Sequence, residues 1–207
     1  MTEHYKHVPN FLNKSQADYL YNRLLKEVPW TQVKYYKPER GYVITPRLTW
    51  VAGFHQDESY PLNISNKTYI PNKIPEWLNE LKIVVEESLS QKYNFILFSY
   101  YRDNKDSITH HSDDERFLGN NPNIASISAG FPRPFLLKNK ETKETQEFQL
   151  NHGDLFVMQN NCQKDYTHSI PKQKTLCFPR VSLTFRNALD ESGSKNYYKY
   201  NTMNFGF

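Results

Sequence analysis

Apolar residues recur at helical spacing in two segments of the first half of the chain. Ser15 and Asp18 stand three apart, as at a helix N-terminus, and Leu20, Leu24 and Val28 follow at helical intervals. The first helix is therefore predicted to begin near Ser15. A second helix is predicted to start at Pro75, a favoured first-turn residue, and its apolar stripe is Trp77, Leu78, Leu81, Val84, Val85 and Leu89.

Between these helices the pattern changes twice. Residues 32–54 are rich in β-branched and aromatic residues around a Pro-Glu-Arg-Gly turn, which predicts a hairpin followed by a further strand. Residues 55–73 are polar, with Asp, Asn and Pro, and are predicted to form a loop.

In the second half of the chain the apolar period falls from 3.6 to two. Val181, Leu183 and Phe185 alternate with Ser182 and Thr184, which is typical of a half-buried strand. Many short strands after two helices predict an α+β protein, a β-sandwich or jelly roll with helices on one side. The predicted strands are NFILFSYYRD (94–103), IASISAG (124–130), PFLLKN (134–139), EFQL (147–150), DLFVM (154–158) and VSLTF (181–185).

Composition narrows the class of protein. The 207 residues contain no internal repeat, so we expect one domain, 1–207, ending in a polar, tyrosine-rich tail at 190–207. The net charge of +4 permits contact with a polyanion without requiring it. Two cysteines, Cys162 and Cys177, are too few for a secreted disulfide framework, and no role is assigned to them.

The chain also lacks an apolar run long enough to span a membrane and a signal-like N-terminus. We therefore expect a soluble, intracellular monomer that does not bind membranes, with nucleus or cytoplasm left open. The low-glycine, Asn- and Lys-rich composition is typical of an AT-rich genome, such as a microbial or viral one.

A candidate metal site lies in the second half of the chain. His111 and Asp113 form a His-x-Asp pair, and His168 follows far downstream. Two imidazoles and one carboxylate on one face of a metal form the facial arrangement of non-haem Fe(II) enzymes that activate dioxygen. Alternating side chains of an extended segment would place His111 and Asp113 on the same side. His110 is an alternative ligand, and such spacings also occur by chance.

Two arginines form a second constellation. Arg180 and Arg186 are six residues apart on one predicted strand, so both guanidinium groups point to the same face, opposite Val181 and Leu183. If that face lines the interior, the arginines need anionic partners, and a dicarboxylate would supply them through bidentate hydrogen bonds. The alternative is that both face solvent and pair with surface acids.

Taken together, these residues and their neighbours resemble the AlkB family of dioxygenases, and within it the DNA-repair members. The resemblance covers residues 94–187 and adds Pro-Arg-Leu at 46–48. The motifs that carry it, in order, are YRDNKDSITHHSDDE, IASISAG, LNHGDLFVMQ, DYTHSIP and PRVSLTFR.

The resemblance implies a fold and a set of ligands. It implies a double-stranded β-helix, or jelly roll, with N-terminal helices, a nucleotide-recognition lid at about 32–60 and a catalytic core at about 93–187. It also implies that Fe(II) is held by His111, Asp113 and His168, with His111 preferred over His110 because Asp113 lies two residues beyond it.

The resemblance also implies how the co-substrate, 2-oxoglutarate, is held. Arg180 would grip its distal carboxylate, Arg186 the end nearest the metal, and Tyr101 would hydrogen-bond to it. Ser99 and Ser182 stand where these enzymes often have Asn, and they are assigned to the co-substrate as well.

The predicted substrate contacts follow from the same resemblance. Asp114 and Glu115 would lie beside the target base, where acidic groups favour a positively charged ring such as N1-methyladenine or N3-methylcytosine. Arg47 is placed among these contacts, and either Trp50 or Phe54 would stack on the base, although each could equally be a core aromatic.

The hairpin itself mixes basic and aromatic residues, which suits contact with single-stranded nucleic acid. The alternative is a surface hairpin whose tyrosines pack on the sheet. The residues concerned are Lys34, Tyr35, Tyr36, Lys37, Arg40 and Tyr42.

Three functional hypotheses follow. The first is oxidative dealkylation of bases in DNA or RNA, using Fe(II), 2-oxoglutarate and O2 and releasing succinate, CO2 and an aldehyde. The second is an oxygenase with the same cofactors that acts on a protein, a lipid or a small molecule. The third, a binding module without catalysis, is disfavoured because it has no need for all five of His111, Asp113, His168, Arg180 and Arg186.

Overall fold

The computed structural model describes residues 3–37, 39, 41–53, 62–64, 67–69 and 72–189. The predicted tail at 190–207 lies outside these residues. In chain order the first half contains β1 (Tyr5–Val8), α1 (Lys14–Glu27), β2 (Lys34–Lys37), β3 (Gly41–Ile44), β4 (Leu48–Gly53), β5 (Leu62–Ile64), β6 (Lys67–Tyr69) and α2 (Glu76–Leu89). The second half contains β7 (Phe95–Tyr101), β8 (Ile108–His111), β9 (Ile124–Gly130), β10 (Arg133–Asn139), β11 (Thr145–Leu150), β12 (Leu155–Met158), α3 (Cys162–Asp165), β13 (Tyr166–Ile170) and β14 (Arg180–Arg186).

Two antiparallel sheets form the body of the fold. The larger sheet has the strand order β1-β12-β9-β14-β7-β4, and the smaller sheet has the order β11-β10-β13-β8. Consecutive strands of the chain pass repeatedly from one sheet to the other, as in a jelly roll. The strand pairs β2-β3 and β5-β6 form separate hairpins. The predicted α+β jelly roll with N-terminal helices is confirmed.

Apolar clusters on the two faces of the larger sheet hold these layers together. On one face, Leu24 of α1 and Leu78 of α2 lie in the same buried cluster as Leu183 of β14. On the other face, Phe156 of β12 meets Phe135 of β10, with ring centroids 4.7 Å apart. Burial of these side chains stabilises the fold by roughly 1.5–3 kcal/mol each. The larger sheet is therefore the middle layer, and the space between the sheets is where a site can form.

The two predicted helices are present, with corrected ends. The N-cap of α1 is Asn13, two residues before the predicted start. Its side chain accepts from the Gln16 N–H, and the Gln16 side chain accepts from the Asn13 N–H, both at 3.0 Å. This reciprocal pair satisfies two N–H groups that a helix start leaves open. Pro75 is the N-cap of α2, which begins at Glu76.

Several strands were not predicted. Strand β1 is polar in sequence yet pairs with β12 at the edge of the larger sheet. Strands β5 and β6 lie in residues 55–73, which were predicted to be a loop, so that prediction was wrong for both segments. These strands are three or four residues long, too short to show a period. The predicted hairpin and following strand at 32–54 are confirmed as β2, β3 and β4.

Two further properties of the structure concern its cysteines and its helices. Cys162 and Cys177 are both free and buried. Among the residues that the structure describes, no helix combines the length and apolar character needed to cross a membrane.

Candidate active site

Strand β14 carries two buried arginines on the face that points between the sheets. Arg180 and Arg186 are 2% and 3% exposed, so the alternative that they face solvent is excluded. Ser182 and Thr184 lie on the same face and line the same pocket. The even spacing therefore predicted the geometry correctly, because side chains of a strand alternate between its two faces.

The three predicted metal ligands converge at one end of this pocket. His111 and His168 are directly opposite each other on the adjacent strands β8 and β13, and their ring centroids are 4.3 Å apart. Asp113 follows β8, and its Oδ1 lies 3.5 Å from His111 Nε2 and 4.0 Å from His168 Nε2. The three ligand atoms all lie within 4.8 Å of one another, which is close enough to share one cation.

A backbone contact orients the first histidine for metal binding. His111 Nδ1 lies 2.8 Å from the carbonyl oxygen of Thr109. Because a carbonyl only accepts, Nδ1 carries the proton, and the lone pair is on Nε2, which faces Asp113. His110 points to the other face, where its ring nitrogens lie 3.3–3.4 Å from the hydroxyls of Ser169 and Thr167. The structure thus favours His111 over His110 as the ligand.

Asp113 is buried and ionised. Burial by itself would raise its pKa, but the charge of Arg186 and the hydrogen bond with His111 hold the pKa of Asp113 well below its usual range. Arg186 Nη2 donates to Asp113 Oδ2 at 2.7 Å. The Asp113 N–H donates to the side-chain oxygen of Gln163 at 2.7 Å. The hydrogen bond from Arg186 thereby fixes Oδ2 of Asp113, while Oδ1 faces the two histidines.

His168 is neutral for a related reason. Burial lowers its pKa to about 3, against the opposing charge of Asp113, so the imidazole keeps its lone pair at neutral pH. A neutral imidazole and an ionised carboxylate are the forms in which these side chains bind metals.

The opposite end of the pocket is cationic. Arg180 Nη2 donates to Ser128 Oγ at 2.8 Å, but its buried Nη1 and Nε atoms have no hydrogen-bond partner among the described residues. Burial, together with the nearby Arg133, lowers the pKa of Arg180 to about 10. Tyr101 is opposite Arg180 in the strand register, and its ring centroid is 5.4 Å from the guanidinium carbon.

Serine hydroxyls form the floor between the two ends. Ser128, Ser182 and Ser99 are directly opposite one another on the adjacent strands β9, β14 and β7. Ser182 Oγ lies 2.9 Å from Ser126 Oγ. Ser126 and Ser128 were not predicted, although their alternation with apolar residues in IASISAG is the signal that places both on one face.

The chemistry of this pocket fits Fe(II) and a dicarboxylate. The two-histidine, one-carboxylate set suits Fe(II), and the unsatisfied donors of Arg180 suit a carboxylate at the far end. The lining residues are Arg47, Leu97, Ser99, Tyr101, Ile108, His111, Asp113, Ser126, Phe135, Phe156, Met158, His168, Ile170, Arg180, Ser182, Thr184 and Arg186.

The residues predicted to contact the substrate do not all lie in the pocket. Arg47 lines the pocket, and its buried Nε has no hydrogen-bond partner among the described residues. Asp114 is exposed and Glu115 half-buried, and neither lines the pocket. Phe54 lies outside the described residues.

The position of Trp50 corrects its predicted role. Its side chain is 9% exposed and belongs to the cluster on the helix side of the larger sheet. Its ring makes an edge contact with Phe98 at 4.9 Å. Residues at even positions of β4 point toward the helices, away from the pocket, so Trp50 is a core residue and does not stack on a base.

Comparison with known proteins agrees with this geometry. The family model of the 2OG-Fe(II) oxygenase superfamily matches residues 4–186. The chain is 37% identical to mouse alpha-ketoglutarate-dependent dioxygenase alkB homolog 3, over 86% of this chain and 64% of that protein. It is 31% identical to mouse DNA oxidative demethylase ALKBH2, over 85% of this chain and 77% of that protein. The chain thus spans somewhat less than two thirds of the length of the mouse alkB homolog 3.

A solved structure shows the same fold. The structure of OsALKBH1 superposes with a TM-score of 0.65 and 16% identity, covering 90% of this chain and 99% of that chain. This likeness shows that the fold of facing sheets is shared. Fe(II) and 2-oxoglutarate are the cofactors that the matching family uses. The chain belongs to the 2OG-Fe(II) oxygenase superfamily, and within it to the AlkB homologues.

Proposed function

We propose that this chain removes alkyl groups from ring nitrogens of bases in DNA or RNA by oxidation, consuming 2-oxoglutarate and O2 and releasing succinate, CO2 and an aldehyde. The observation that carries the proposal is one pocket that has the His-Asp-His triad at one end and, at the other, donors of Arg180 without a partner among the described residues. The similar mouse protein ALKBH2 is a DNA oxidative demethylase, which supports nucleic acid as the substrate class.

At the metal end, His111, Asp113 and His168 would hold Fe(II). When bound together, Fe(II) and 2-oxoglutarate supply the chemistry that inserts oxygen into a C–H bond of the alkyl group. Arg186 keeps Asp113 ionised and fixes one of its oxygens, so the ligand set is preorganised before the metal arrives. Arg186 also lies at the metal end of the pocket, as the proposed contact with the near end of 2-oxoglutarate requires.

At the far end, Arg180 would bind the distal carboxylate, because its buried guanidinium group keeps N–H donors without a hydrogen-bond partner among the described residues. Tyr101 would donate its phenol proton to the same co-substrate from the neighbouring strand. Ser99 and Ser182 would offer hydroxyls along the floor between the two ends. A carboxylate in this position offsets the cost of burying the guanidinium group.

The hairpin β2-β3 is the proposed nucleic-acid surface, and residues 32–60 the lid over a core at 93–187. Tyr42 and Ile44 project from the same side of β3 and are more than half exposed. Lys34 Nζ lies 5.0 Å from the centre of the Tyr42 ring. Aromatic and basic groups side by side suit base stacking and phosphate contact. The side chains of Tyr35, Tyr36, Lys37 and Arg40 lie outside what the structure describes.

Two further features bear on the base itself. Arg47, the residue before β4, lines the pocket and is proposed to contact the substrate there. Asp114 and Glu115 come directly after the ligand Asp113, and their charge would favour a cationic alkylated ring. The target base must leave its stack or come from a single strand, which costs a few kcal/mol.

The test is reconstitution of the purified protein with Fe(II) and 2-oxoglutarate under nitrogen, followed by admission of oxygen. Oligonucleotides carrying N1-methyladenine or N3-methylcytosine are then followed by mass spectrometry. We expect the loss of one CH2 unit, dependent on both cofactors. A matched unmodified oligonucleotide should keep its mass, and Asp113→Asn, which removes one ligand charge, should give no loss.

The same assay can also contradict the proposed substrate class. Succinate formed without any change in either oligonucleotide would overturn the proposed substrate class while leaving the cofactor chemistry in place. The search would then move to proteins, lipids and small molecules. Parallel assays on single-stranded and double-stranded DNA and on RNA rank the strand preference within the proposal.

A further inference from the structure

A second buried guanidinium group lies behind the arginine end of the pocket. Arg133, the first residue of β10, is 0% exposed. Its Nη1 donates to the carbonyl oxygen of Asp103 at 2.9 Å, and its Nη2 donates to those of Asp106 at 2.9 Å and Pro171 at 2.7 Å. It does not line the pocket.

The charge of Arg133 meets no carboxylate in the part of the chain that the structure describes. The side chain of Asp106 is taken by Arg102, whose Nε and Nη2 donate to it at 2.7 and 2.9 Å. The side chain of Asp103 accepts from the Lys105 N–H at 2.8 Å. Among the described residues, the hydrogen bonds of the Arg133 guanidinium therefore all go to backbone carbonyls, which leaves its charge without a carboxylate partner there.

Tyr101 joins this second cation to the first. Its ring centroid lies 5.7 Å from the guanidinium carbon of Arg133 and 5.4 Å from that of Arg180. After burial, the positive charge of Arg133 is a further cause that lowers the pKa of Arg180. Two buried cations that share one aromatic ring, without a carboxylate between them, make an anion at this end more favourable.

The turn that Arg133 holds also connects the two ends of the site. Residues 102–107 run from Tyr101 at the end of β7 to β8, which carries His111. Within the turn, the Ser107 N–H donates to the Pro46 carbonyl at 2.9 Å, next to Arg47. By fixing two carbonyls of the turn from inside, Arg133 limits where the Tyr101 ring can lie.

We propose that Arg133 is a positioning residue for the distal carboxylate of 2-oxoglutarate, acting through Tyr101 and through the positive field that it adds behind Arg180. The inference rests on the assignment of Arg180 and Tyr101 to the co-substrate in the proposed function. Arg133 itself touches neither the metal ligands nor the pocket.

The experiment measures binding without turnover. Protein loaded with Mn(II) in place of Fe(II) is titrated calorimetrically with 2-oxoglutarate and with 2-oxobutanoate, which has the same keto-acid end but no distal carboxylate. For Arg133→Met we expect 2-oxoglutarate to bind about tenfold more weakly and 2-oxobutanoate to change by less than about twofold. Equal weakening of both acids would show a merely structural role and overturn the proposal, as would unchanged binding of 2-oxoglutarate.

A second variant and a control keep the result interpretable. Arg133→Lys keeps the charge but loses the fork, so its preference for 2-oxoglutarate over 2-oxobutanoate should fall by about threefold; if the methionine variant does not fold, a native preference in the lysine variant overturns the proposal. Lys105→Met removes an exposed positive charge from the same turn and should leave the preference unchanged. The same loss in this control would assign the effect to the turn and overturn the role of Arg133.

The outcomes for this inference and for the proposed function are separable, because no nucleic acid is present in the titration. A native protein that binds 2-oxoglutarate but leaves bases unchanged fails only the proposed substrate. Absence of 2-oxoglutarate binding to the native protein would overturn both.

Discussion

Strand β14 has one apolar face and one polar, charged face, and its seven residues alternate between the two. Val181, Leu183 and Phe185 face the helices and lie in a buried apolar cluster. Arg180 and Arg186 face the smaller sheet and line the pocket. The helix face contributes burial of apolar area, which favours folding. The pocket face buries charge, which opposes folding unless a ligand compensates it.

This contrast shows where stability and function are separated in the molecule. A change on the helix face should lower the free energy of unfolding and reduce activity only through loss of folded protein. A change on the pocket face should abolish ligand binding at little cost in stability, or even with a gain. Four predictions test this division.

The largest effect is expected at the metal end. His168→Ala removes one ligand and should lower oxygen-dependent turnover by at least about a thousandfold while the melting temperature without metal stays close to native. Turnover is measured as succinate formed. His110→Ala is the matched control, because that ring points to the outer face, and it should keep native turnover. Full activity in the His168 variant would contradict the ligand assignment.

The next effect is expected on the helix face. Phe185→Ala leaves a cavity in the cluster beside Tyr93, whose ring centroid is 6.0 Å away. The free energy of unfolding should fall by roughly 3–5 kcal/mol, measured by urea denaturation. The folded fraction should still bind 2-oxoglutarate with native affinity in the presence of Mn(II). Weakened binding by the folded fraction would break the proposed separation of the two faces.

The third prediction concerns both ligand binding and stability at Arg180. Arg180→Met should weaken 2-oxoglutarate binding by about a hundredfold, because it removes charge-assisted hydrogen bonds. The ligand-free protein should become more stable by about 1–3 kcal/mol, since a buried guanidinium with unsatisfied atoms is removed. Thermal denaturation checks this. With Mn(II) present, 2-oxoglutarate should raise the melting temperature of the native protein but not of this variant.

The smallest effect concerns a buried charge on the helix side. Glu86 accepts from Lys82 at 2.7 Å, Lys92 at 3.2 Å and the Tyr93 N–H at 2.7 Å. Although burial raises its pKa, these donors lower it below the ordinary value on balance. A depressed folded pKa means that the stabilisation is complete above the unfolded pKa, about 4.3, and is lost as the pH falls through the folded value.

Glu86→Gln should therefore cost about 1 kcal/mol of unfolding free energy at neutral pH, and the difference from native should shrink as the pH falls below about 4. Urea denaturation over a pH series measures it. Glu87→Gln, at an exposed position on the same helix, should cost little at any pH. A pH-independent difference for the Glu86 variant would show that its carboxylate charge is not what stabilises the fold.

Much of the fold could be predicted from the sequence because its signals are local. The alternation in 181–185 fixed which side chains share a face, and the same rule brought both arginines together. The stripe after Pro75 predicted α2. The short strands β1, β5 and β6 escaped prediction because three or four residues are too few to show a period, and their pairing depends on distant partners.

Within the site, the sequence by itself determined the type of chemistry: a His-x-Asp pair, a distant histidine and two arginines on one strand face, together with the resemblance to AlkB enzymes. Only the tertiary structure decided which residues meet. It placed His111 opposite His168 and turned His110 outward, sent Trp50 into the core, joined Arg186 to Asp113 and brought Arg133 behind Tyr101. The physical reason is that periodicity fixes how side chains alternate along one strand, whereas the register and stacking of strands far apart in the chain fix which faces come together.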